Sequence, residues 1–328
     1  MLQKFKHLFQ RLVVCCKAFP ADRREFGSKV AAARFWDVLI PTGKSKKYIQ
    51  TLSAYMCKEL APLAQRFRET PVQASKQALD HTPVWVCWWQ GEEAMPPVVK
   101  ACVAKMRQLL PATARLHVIT WDNFGTYVQL PAYILEKYEK GLISKTHLSD
   151  ILRYALVSTY GGAWIDSTVL LSDRIVRSWP EYLQKDFFTQ RFASWECCPQ
   201  EACRGKWCNF FFMGKADCPL FAFVYEALLQ WWQTHDRIID YVILDYMIWA
   251  GYCDVPAIRE AIDSVEAGNE NIWLLAKHLN DAYVPEQYEK LMASNDFFKL
   301  SYKGQLNLQT QQGQDTVYAH ILKENNVM

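Results

Sequence analysis

The chain lacks several features that would assign it to a common class of protein. Its 328 residues contain no run of about 18 apolar residues, so we predict no membrane-spanning helix. There is no GxSxG nucleophile elbow, no Walker phosphate loop and no H-x-E paired with P-C-x-x-C. These gaps argue against serine hydrolases, P-loop nucleotidases and zinc deaminases. The net charge of +3 is too small to indicate a nucleic-acid partner.

A disulfide framework is also not expected. The chain has 11 cysteines, an odd number, and no secretory signal is evident at its start; both points favour reduced thiols in a cytoplasmic protein. Four of them, Cys197, Cys198, Cys203 and Cys208, lie close together in the sequence. Because this group lacks the paired C-x2-C spacing of structural zinc sites, we expect free thiols rather than zinc.

Apolar and aromatic residues are abundant. At 51% hydrophobic residues the chain can bury a large core, and its length allows one large or two small domains. The 13 Trp and 16 Tyr exceed what a core needs, and both sugars and nucleobases stack on such rings. Use of these aromatics in the core and in interfaces is the alternative.

Residues 1–80 are predicted to form a helical, basic N-terminal extension. The first 34 residues carry eight Lys or Arg side chains against two acidic ones, with apolar residues at helical spacing between the early charges. Such a helix fits an anionic membrane surface, a docking position on the catalytic domain or an oligomer contact. A second helical stretch is predicted from Lys46 to Glu69, with a kink or break at Pro62.

Residues 81–328 alternate between strand and helix patterns, and we predict that they form one catalytic domain. This order predicts an α/β fold with a Rossmann-like, mostly parallel sheet and helices on both faces. The predicted strands span 83–89, 114–120, 163–171, 186–192 and 209–215. The predicted helices span 96–110, 133–141, 148–160, 219–236 and 238–250.

The segment 147–171 is the most informative part of the chain. Ser149 is predicted to cap a helix that ends at a Gly-Gly pair, and the apolar strand that follows contains Asp166. A carboxylate in an apolar strand is costly unless it meets a metal, a cation or hydrogen-bond donors. Asp150 and Arg153 lie one turn apart near the helix start and share a face. Together these three groups predict a small-molecule site, although an ordinary ion pair and backbone donors are the alternatives.

The SD-xx-R helix, the YGG turn and the W-I-D strand of this segment resemble the nucleotide-sugar site of GT-A glycosyltransferases. The closest resemblance is to bacterial capsular polysaccharide synthesis proteins, which are related to mannosyltransferases with a DxD motif. It covers about residues 83–323. Further matching motifs are WVCWWQG (85–91), WDNF and LP (121–131), WCNFFF (207–212), IDYVILDY (239–246) and KLSYK (299–303).

The resemblance implies a GT-A fold and a role for individual residues. Trp88 would stack on the nucleobase, and Gly91 would let the backbone approach the nucleotide; a core position and a simple turn are the alternatives. Asp150 and Arg153 would contact the donor sugar and its diphosphate. Asp245 would position hydroxyl groups of the donor or the acceptor.

The same resemblance leaves metal dependence in doubt. Asp166 matches the first acid of the DxD element, but Thr168 stands where the second acid is expected. One carboxylate and one hydroxyl form a poor ligand set for Mn²⁺ or Mg²⁺. His320 is a second candidate metal ligand, and Lys303, with His320, could carry part of the leaving-group charge. Asp166 and Thr168 remain candidates for contacts to the donor.

As a function, the resemblance implies a retaining glycosyltransferase of capsular or surface polysaccharide synthesis. It would move a sugar from a nucleotide-sugar donor, with UDP-linked sugars as candidates, to a glycan or lipid-linked glycan. We expect a cytoplasmic protein, at the inner face of the cell membrane if the basic helix binds there. The alternative is a non-catalytic member of a synthesis complex that binds nucleotide or glycan, which the missing second acid would explain.

Overall fold

The computed structural model describes residues 2–39, 44–70, 79–194 and 202–328. The helices in these ranges are α1 (Leu2–Leu39), α2 (Lys46–Glu59), α3 (Ala61–Glu69), α4 (Pro97–Leu109), α5 (Ala132–Glu139), α6 (Lys145–Tyr160), α7 (Ile175–Gln184), α8 (Pro219–Thr234), α9 (Ile243–Asp254), α10 (Pro256–Asp263), α11 (Leu274–Lys277), α12 (Pro285–Met292) and α13 (Val317–Glu324). The strands are β1 (Thr82–Cys87), β2 (Ala114–Ile119), β3 (Gly162–Ile165), β4 (Val169–Leu171), β5 (Phe187–Thr189), β6 (Phe211–Gly214) and β7 (Phe297–Lys299).

The central sheet has five strands in the order β2-β1-β3-β6-β5. Strand β1 runs parallel to β2 and β3, whereas β6 runs antiparallel to both β3 and β5. The α/β class is therefore confirmed, but the sheet is mixed rather than mostly parallel. The difference follows from the connections: helices cross between β1, β2 and β3, while an antiparallel pair such as β5 and β6 needs no crossover helix.

The predicted strand over 163–171 is in fact two strands that belong to two sheets. Strand β3 ends at Ile165, and the Val169 amide donates to the Asp166 carbonyl over 2.9 Å in the turn that follows. Strand β4 then pairs with β7 in a separate antiparallel sheet. The prediction of one strand was wrong because the apolar residues on both sides of Asp166 hide the turn. The turn takes the carboxylate out of the strand.

The helix of the diagnostic segment begins earlier than the sequence suggested. Helix α6 starts at Lys145, and the Ser144 side chain accepts a hydrogen bond from the His147 amide as the N-cap. Ser149, the predicted cap, lies inside the helix and donates to the Lys145 carbonyl over 3.1 Å. The reason is a second serine one turn earlier, which satisfies the free amides of the first turn.

The N-terminal helices share one hydrophobic core with the rest of the chain. Pro62 separates α2 from α3, as predicted, and lies in the first turn of α3, where its missing amide is tolerated. From α1, Phe26 stacks on Trp231 at 5.9 Å, and from α2, Leu52 and Met56 are fully buried. Helices α2 and α3 pack against α9 and α8. Pro41 and Gly43, which predict a break between α1 and α2, lie outside the described residues.

Within the described ranges, no helix combines the length and apolar character that a membrane crossing requires. The long helix α1 reaches 38 residues, but it is interrupted at Gly27, whose φ of 81° is not helical.

Candidate functional site

A polar cleft of about 400 Å³ lies where β1 and β3 end. Five of the residues predicted for the donor site line it: Trp88, Arg153, Asp166, Thr168 and Lys303. The carboxyl ends of parallel strands β1 and β3 meet at this edge of the sheet, which is where ligands bind in open α/β sheets. The other lining residues are Cys87, Trp89, Gln90, Lys145, Thr146, Ser149, Trp164, Ser167, Tyr241, Lys299 and Tyr302.

Asp166 is the centre of the cleft's ionic contacts. Its Oδ2 accepts from Lys299 Nζ over 2.6 Å, and its Oδ1 accepts from Trp164 Nε1 over 2.9 Å. A nitrogen of Arg153 lies 3.5 Å from the same Oδ1. Burial alone would raise the pKa of Asp166, but Lys299 and Arg153 outweigh burial and hold the pKa below its ordinary value. The carboxylate therefore stays ionised at neutral pH.

Arg153 is held from several directions inside the protein. Its guanidinium lies 3.1 Å from Asp150 Oδ1, 4.9 Å from the centre of the Trp164 ring, and donates to the Asn209 carbonyl. Burial opposes its charge, but Asp150 and Asp166 raise the pKa of Arg153 above its ordinary value. The predicted i,i+3 pair thus continues into Asp166, so that the helix and the strand end are joined by one charged network.

Lys299 belongs to the charged network of the cleft, and the sequence analysis did not single it out. Besides Asp166, its ammonium donates to Thr168 Oγ1 over 2.9 Å and lies 5.2 Å from the Phe210 ring. The antiparallel register that sets Lys299 opposite Val169 delivers it to this turn. The signal in the sequence is the KLSYK motif: the motif's resemblance selects its last lysine, Lys303, and the structure puts both Lys299 and Lys303 in the lining of the cleft.

Aromatic side chains form a second part of the cleft. Trp88 is half-buried and meets Tyr302 edge to face at 5.4 Å. Tyr241 is 71% exposed where it lines the cleft. Trp89 is buried and donates from Nε1 to Ser149 Oγ over 2.7 Å, so this ring braces the wall against α6. Of the two adjacent tryptophans, Trp88 is the one placed to meet a ligand.

Asp245 lies behind the cleft rather than in its lining. It is buried at the start of α9 and accepts from Trp207 Nε1 over 3.0 Å and from Asn209 Nδ2 over 2.9 Å. The side-chain oxygen of Asn209 accepts a hydrogen bond from the Tyr154 hydroxyl over 2.8 Å, and its backbone carbonyl accepts one from Arg153. Asp245 therefore holds Asn209 in place, and the backbone carbonyl of Asn209 accepts the hydrogen bond from Arg153.

Of two further predicted residues, Lys303 lines the cleft and Gly91 does not. Lys303 lines the cleft from an exposed position. Gly91 has a φ of 87° and closes a turn by donating from its amide to the Trp88 carbonyl over 3.0 Å. It is not among the lining residues, and a Cβ added at this position would meet nothing within 4 Å. Its φ is the feature that requires glycine there.

His320 does not share the cleft with Asp166. It lies on α13, where its ring stacks on Tyr283 at 3.7 Å and meets Tyr288 edge to face at 4.8 Å. In the part of the chain that the structure describes, no group of three His, Cys, Asp or Glu side chains could hold a metal ion. Because Asp166 also bonds Lys299, the donor set at this corner does not fit a divalent cation.

The cleft's lining offers charge but no obvious nucleophile. Among the described residues, it carries the four cations Lys145, Arg153, Lys299 and Lys303 and a single carboxylate, Asp166. Burial raises the pKa of Cys87 to about 12, so this thiol stays protonated at neutral pH. The excess of cations suits an anionic ligand rather than covalent catalysis by the protein.

A second cavity, of about 360 Å³, lies between α11, α12 and α13 and is of a different kind. Its walls are mainly apolar, with Leu274, Val284, Leu291 and Val317 among the lining residues. None of the predicted site residues lines it. The chemistry indicated by the sequence is therefore concentrated in the polar cleft.

Comparison with known proteins identifies the family of the chain. The O-glycosyltransferase PaGT of Phomopsis amygdali is 28% identical over 104 residues, which is 29% of this chain and 26% of that protein. The chain thus matches only about a quarter of the length of that relative. No solved structure matches the chain. A family model described as capsular polysaccharide synthesis protein matches residues 39–321, which include every residue that lines the cleft. The chain therefore belongs to the capsular polysaccharide synthesis protein family.

Proposed function

We propose that this protein is a glycosyltransferase that takes a sugar from a nucleotide-sugar donor bound in the polar cleft. The observation that carries the proposal is the excess of cations over carboxylates where β1 and β3 end, beside a half-buried tryptophan. A nucleoside diphosphate presents two anionic phosphates and a flat base, which these groups complement. The family and the partial match to an O-glycosyltransferase support transfer of a sugar as the reaction.

The cleft offers one place for each part of the donor. Trp88 stacks on the base, and the diphosphate lies against the cations, since developing negative charge on a leaving phosphate is best countered by fixed positive groups. Arg153, which lines the cleft and is held by Asp150, receives the sugar hydroxyls and the phosphate nearest the sugar. UDP-linked sugars are the first donors to test, and a glycan or lipid-linked glycan is the proposed acceptor.

The proposed reaction retains the anomeric configuration and needs no protein nucleophile. The bond from the anomeric carbon to the phosphate oxygen breaks, and a bond to the acceptor oxygen forms on the same face of the sugar. The departing phosphate oxygen takes the proton of the acceptor hydroxyl. This scheme agrees with a lining whose one described carboxylate, Asp166, is fully engaged and whose Cys87 thiol is protonated.

The test is release of nucleotide from a panel of nucleotide sugars by the purified protein. We expect slow hydrolysis of at least one donor without acceptor, and loss of that activity in Arg153→Ala. Arg174→Ala is the matched control, because Arg174 pairs with Asp296 away from the cleft. Failure of all donors to release nucleotide, with an intact fold, would contradict the proposal.

A non-catalytic role in a synthesis complex is the second candidate, and one observation favours it. Thr168 supplies a hydroxyl where relatives with DxD supply a second acid. A binding module would still bind a nucleoside diphosphate in the cleft but would release no nucleotide from a sugar donor. Measuring affinity and hydrolysis on the same preparation therefore separates the two candidates.

We also propose that the first part of α1 rests on an anionic membrane surface. Phe9, Leu12 and Cys16 are exposed and lie at i, i+3 and i+7, on one face of the helix. Arg11 and Lys17 accompany them, and such a mixture of apolar and basic side chains binds the headgroup region. This contact would hold a cytoplasmic enzyme close to a lipid-linked acceptor.

A further inference from the structure

The turn between β3 and β4 is occupied by the ammonium group of Lys299, which reaches it from β7. Lys299 Nζ lies 2.6 Å from Asp166 Oδ2 and 2.9 Å from Thr168 Oγ1, so it bridges the side chains of the first and third residues of the Asp-Ser-Thr triplet. The Lys299 side chain is 21% exposed and lines the cleft, which leaves its ammonium accessible to a ligand. A positive charge is thus fixed between positions 166 and 168.

The backbone around this lysine is held as firmly as its side chain. The Lys299 amide donates to the Ile272 carbonyl, and the Leu300 amide donates to the Thr168 carbonyl, each over 2.8 Å. The second bond continues the β4–β7 pairing to the edge of the turn, and the first ties β7 to the segment before α11. The position of the ammonium is therefore set by the sheet rather than by a flexible loop.

The same contacts are unfavourable for a divalent cation. A metal at Asp166 would have to displace the ammonium from the carboxylate or share it with a like charge, and Thr168 adds only a hydroxyl. Mg²⁺ and Mn²⁺ prefer carboxylate oxygens, and only one carboxylate is present at this turn. Arg153, 3.5 Å from Asp166 Oδ1, adds a second positive charge on the other side.

We infer that Lys299 takes the place of a metal ion in this protein and neutralises the leaving diphosphate, so that transfer proceeds without a divalent cation. The inference rests on the proposed function and assigns a catalytic residue to it. When the bond from the sugar to the phosphate breaks, charge grows on the phosphate oxygen, and a preplaced ammonium stabilises it without rearrangement. One ammonium carries half the charge of Mn²⁺, and Lys145 and Lys303 add further positive charge to the lining of the cleft.

The first experiment compares nucleotide binding and donor hydrolysis in EDTA and in Mn²⁺. For the wild-type chain we expect the dissociation constant of UDP, measured by calorimetry, and the hydrolysis rate to change less than about threefold between the two. In Lys299→Met, which keeps the aliphatic stem, we expect the rate to fall by at least about a hundredfold, as for loss of one preorganised electrostatic group. Lys323→Met is the matched control, because that lysine pairs with Asp315 away from the cleft.

The second experiment exchanges the lysine for a metal site. Thr168→Asp combined with Lys299→Ala creates an Asp-Ser-Asp triplet with no ammonium between its acids. We expect this double variant to bind Mn²⁺ alone, detected by loss of the free-ion signal in electron paramagnetic resonance, and to regain UDP affinity only with Mn²⁺. The wild-type chain should leave the free-ion signal unchanged under the same conditions. Circular dichroism of each variant establishes that it is folded.

The outcomes separate this inference from the proposed function. If no nucleotide sugar is hydrolysed, the proposed function fails, while UDP binding in EDTA and in Lys299→Met still tests the lysine. If the wild-type chain loses hydrolysis and UDP binding in EDTA and recovers both with Mn²⁺, the transferase stands and the inference is overturned. Unchanged UDP affinity and hydrolysis in a folded Lys299→Met variant would overturn it as well.

Discussion

Two carboxylates in this molecule, one buried and one facing a cleft, meet the same kinds of partner but differ in what they hold together. Asp240 accepts from Lys44 Nζ over 2.8 Å, from the Tyr48 hydroxyl over 2.7 Å and from the Val242 amide over 3.1 Å. Its side chain is only 5% exposed. Two of these three partners come from the N-terminal extension, so Asp240 fastens α2 and Lys44, two residues before it, to the segment that precedes α9.

Asp166 also meets a lysine and an aromatic donor, but its side chain is 25% exposed and lines a cleft. Its cationic partners face the same open space and remain within reach of an anion. The difference teaches that a buried aspartate bonded to a lysine is not by itself a functional signal. What distinguishes a site is a cavity beside the pair and an excess of positive charge around it.

The largest expected effect separates these two carboxylates by activity. Asp166→Asn keeps the shape of the side chain but leaves Lys299 and Arg153 without a carboxylate to orient them. We expect donor hydrolysis to fall by at least about a hundredfold, with the circular dichroism spectrum unchanged. Asp186→Asn, which alters an exposed carboxylate paired with Lys215, should leave the rate unchanged. A fully active Asp166→Asn protein would remove the site from this corner.

We expect the contacts of Asp240, unlike those of Asp166, to matter for stability rather than for activity. Tyr48→Phe removes the hydroxyl that donates to the buried Asp240, and hydrogen bonds to charged groups contribute about 1.5–3 kcal/mol. We expect the free energy of unfolding in urea to fall by about this amount while the hydrolysis rate per folded molecule stays the same. If the same variant loses activity without losing stability, the N-terminal helices would have a direct part in catalysis.

The N-terminal helix allows a finer distinction between docking and membrane contact. Cys15, Phe26 and Val30 are buried, so a deletion through residue 34 would cut into the core, whereas residues 9–14 are exposed or half-buried. We therefore expect a chain without residues 1–14 to keep donor hydrolysis and to bind vesicles with anionic lipid about tenfold more weakly, measured by sedimentation. If the full chain and the shortened chain bind the vesicles equally, residues 1–14 do not contact the membrane.

The smallest expected effect concerns His117, which contacts neither Asp166 nor Asp240 and pairs with His81. His117 lies 2.9 Å from His81 between their Nε2 atoms, and burial lowers the pKa of His117 to about 4. Between about pH 4 and the unfolded value near 6.5, the unfolded chain binds more protons, so stability falls as the pH falls through this window. We expect His117→Gln to reduce the difference in unfolding free energy between pH 7.5 and pH 5. An unchanged difference would assign the pH dependence to other groups.

The sequence predicted those parts of the molecule that depend on local pattern. Hydrophobic periodicity located the strands β1 and β2 and the helices α4 and α8 to within two or three residues. The i,i+3 spacing of Asp150 and Arg153 predicted their contact, because three residues are nearly one helical turn. The break at Pro62 followed from its missing amide.

The remaining features depend on contacts that are distant in the sequence. The direction of β6 and the division of the segment around Asp166 into two sheets are decided by strand pairing, which local periodicity does not encode. The place of Lys299 beside Asp166 follows from the β4–β7 register, because a shift of one residue in a strand would turn its side chain to the other face. The partners of Asp240 likewise come from a part of the chain about 190 residues away.

The bond between Lys299 and Asp166 spans 133 residues of sequence, which has a consequence for the newly made chain. At typical synthesis rates of about 5–20 residues per second, the lysine is added roughly 7 to 27 seconds after the aspartate. Until β7 is present, the turn that carries Asp166 lacks its lysine, and β4 lacks the strand with which it pairs. The turn therefore acquires its ammonium late in biosynthesis, and a chain released before β7 would lack both this contact and the β4–β7 sheet.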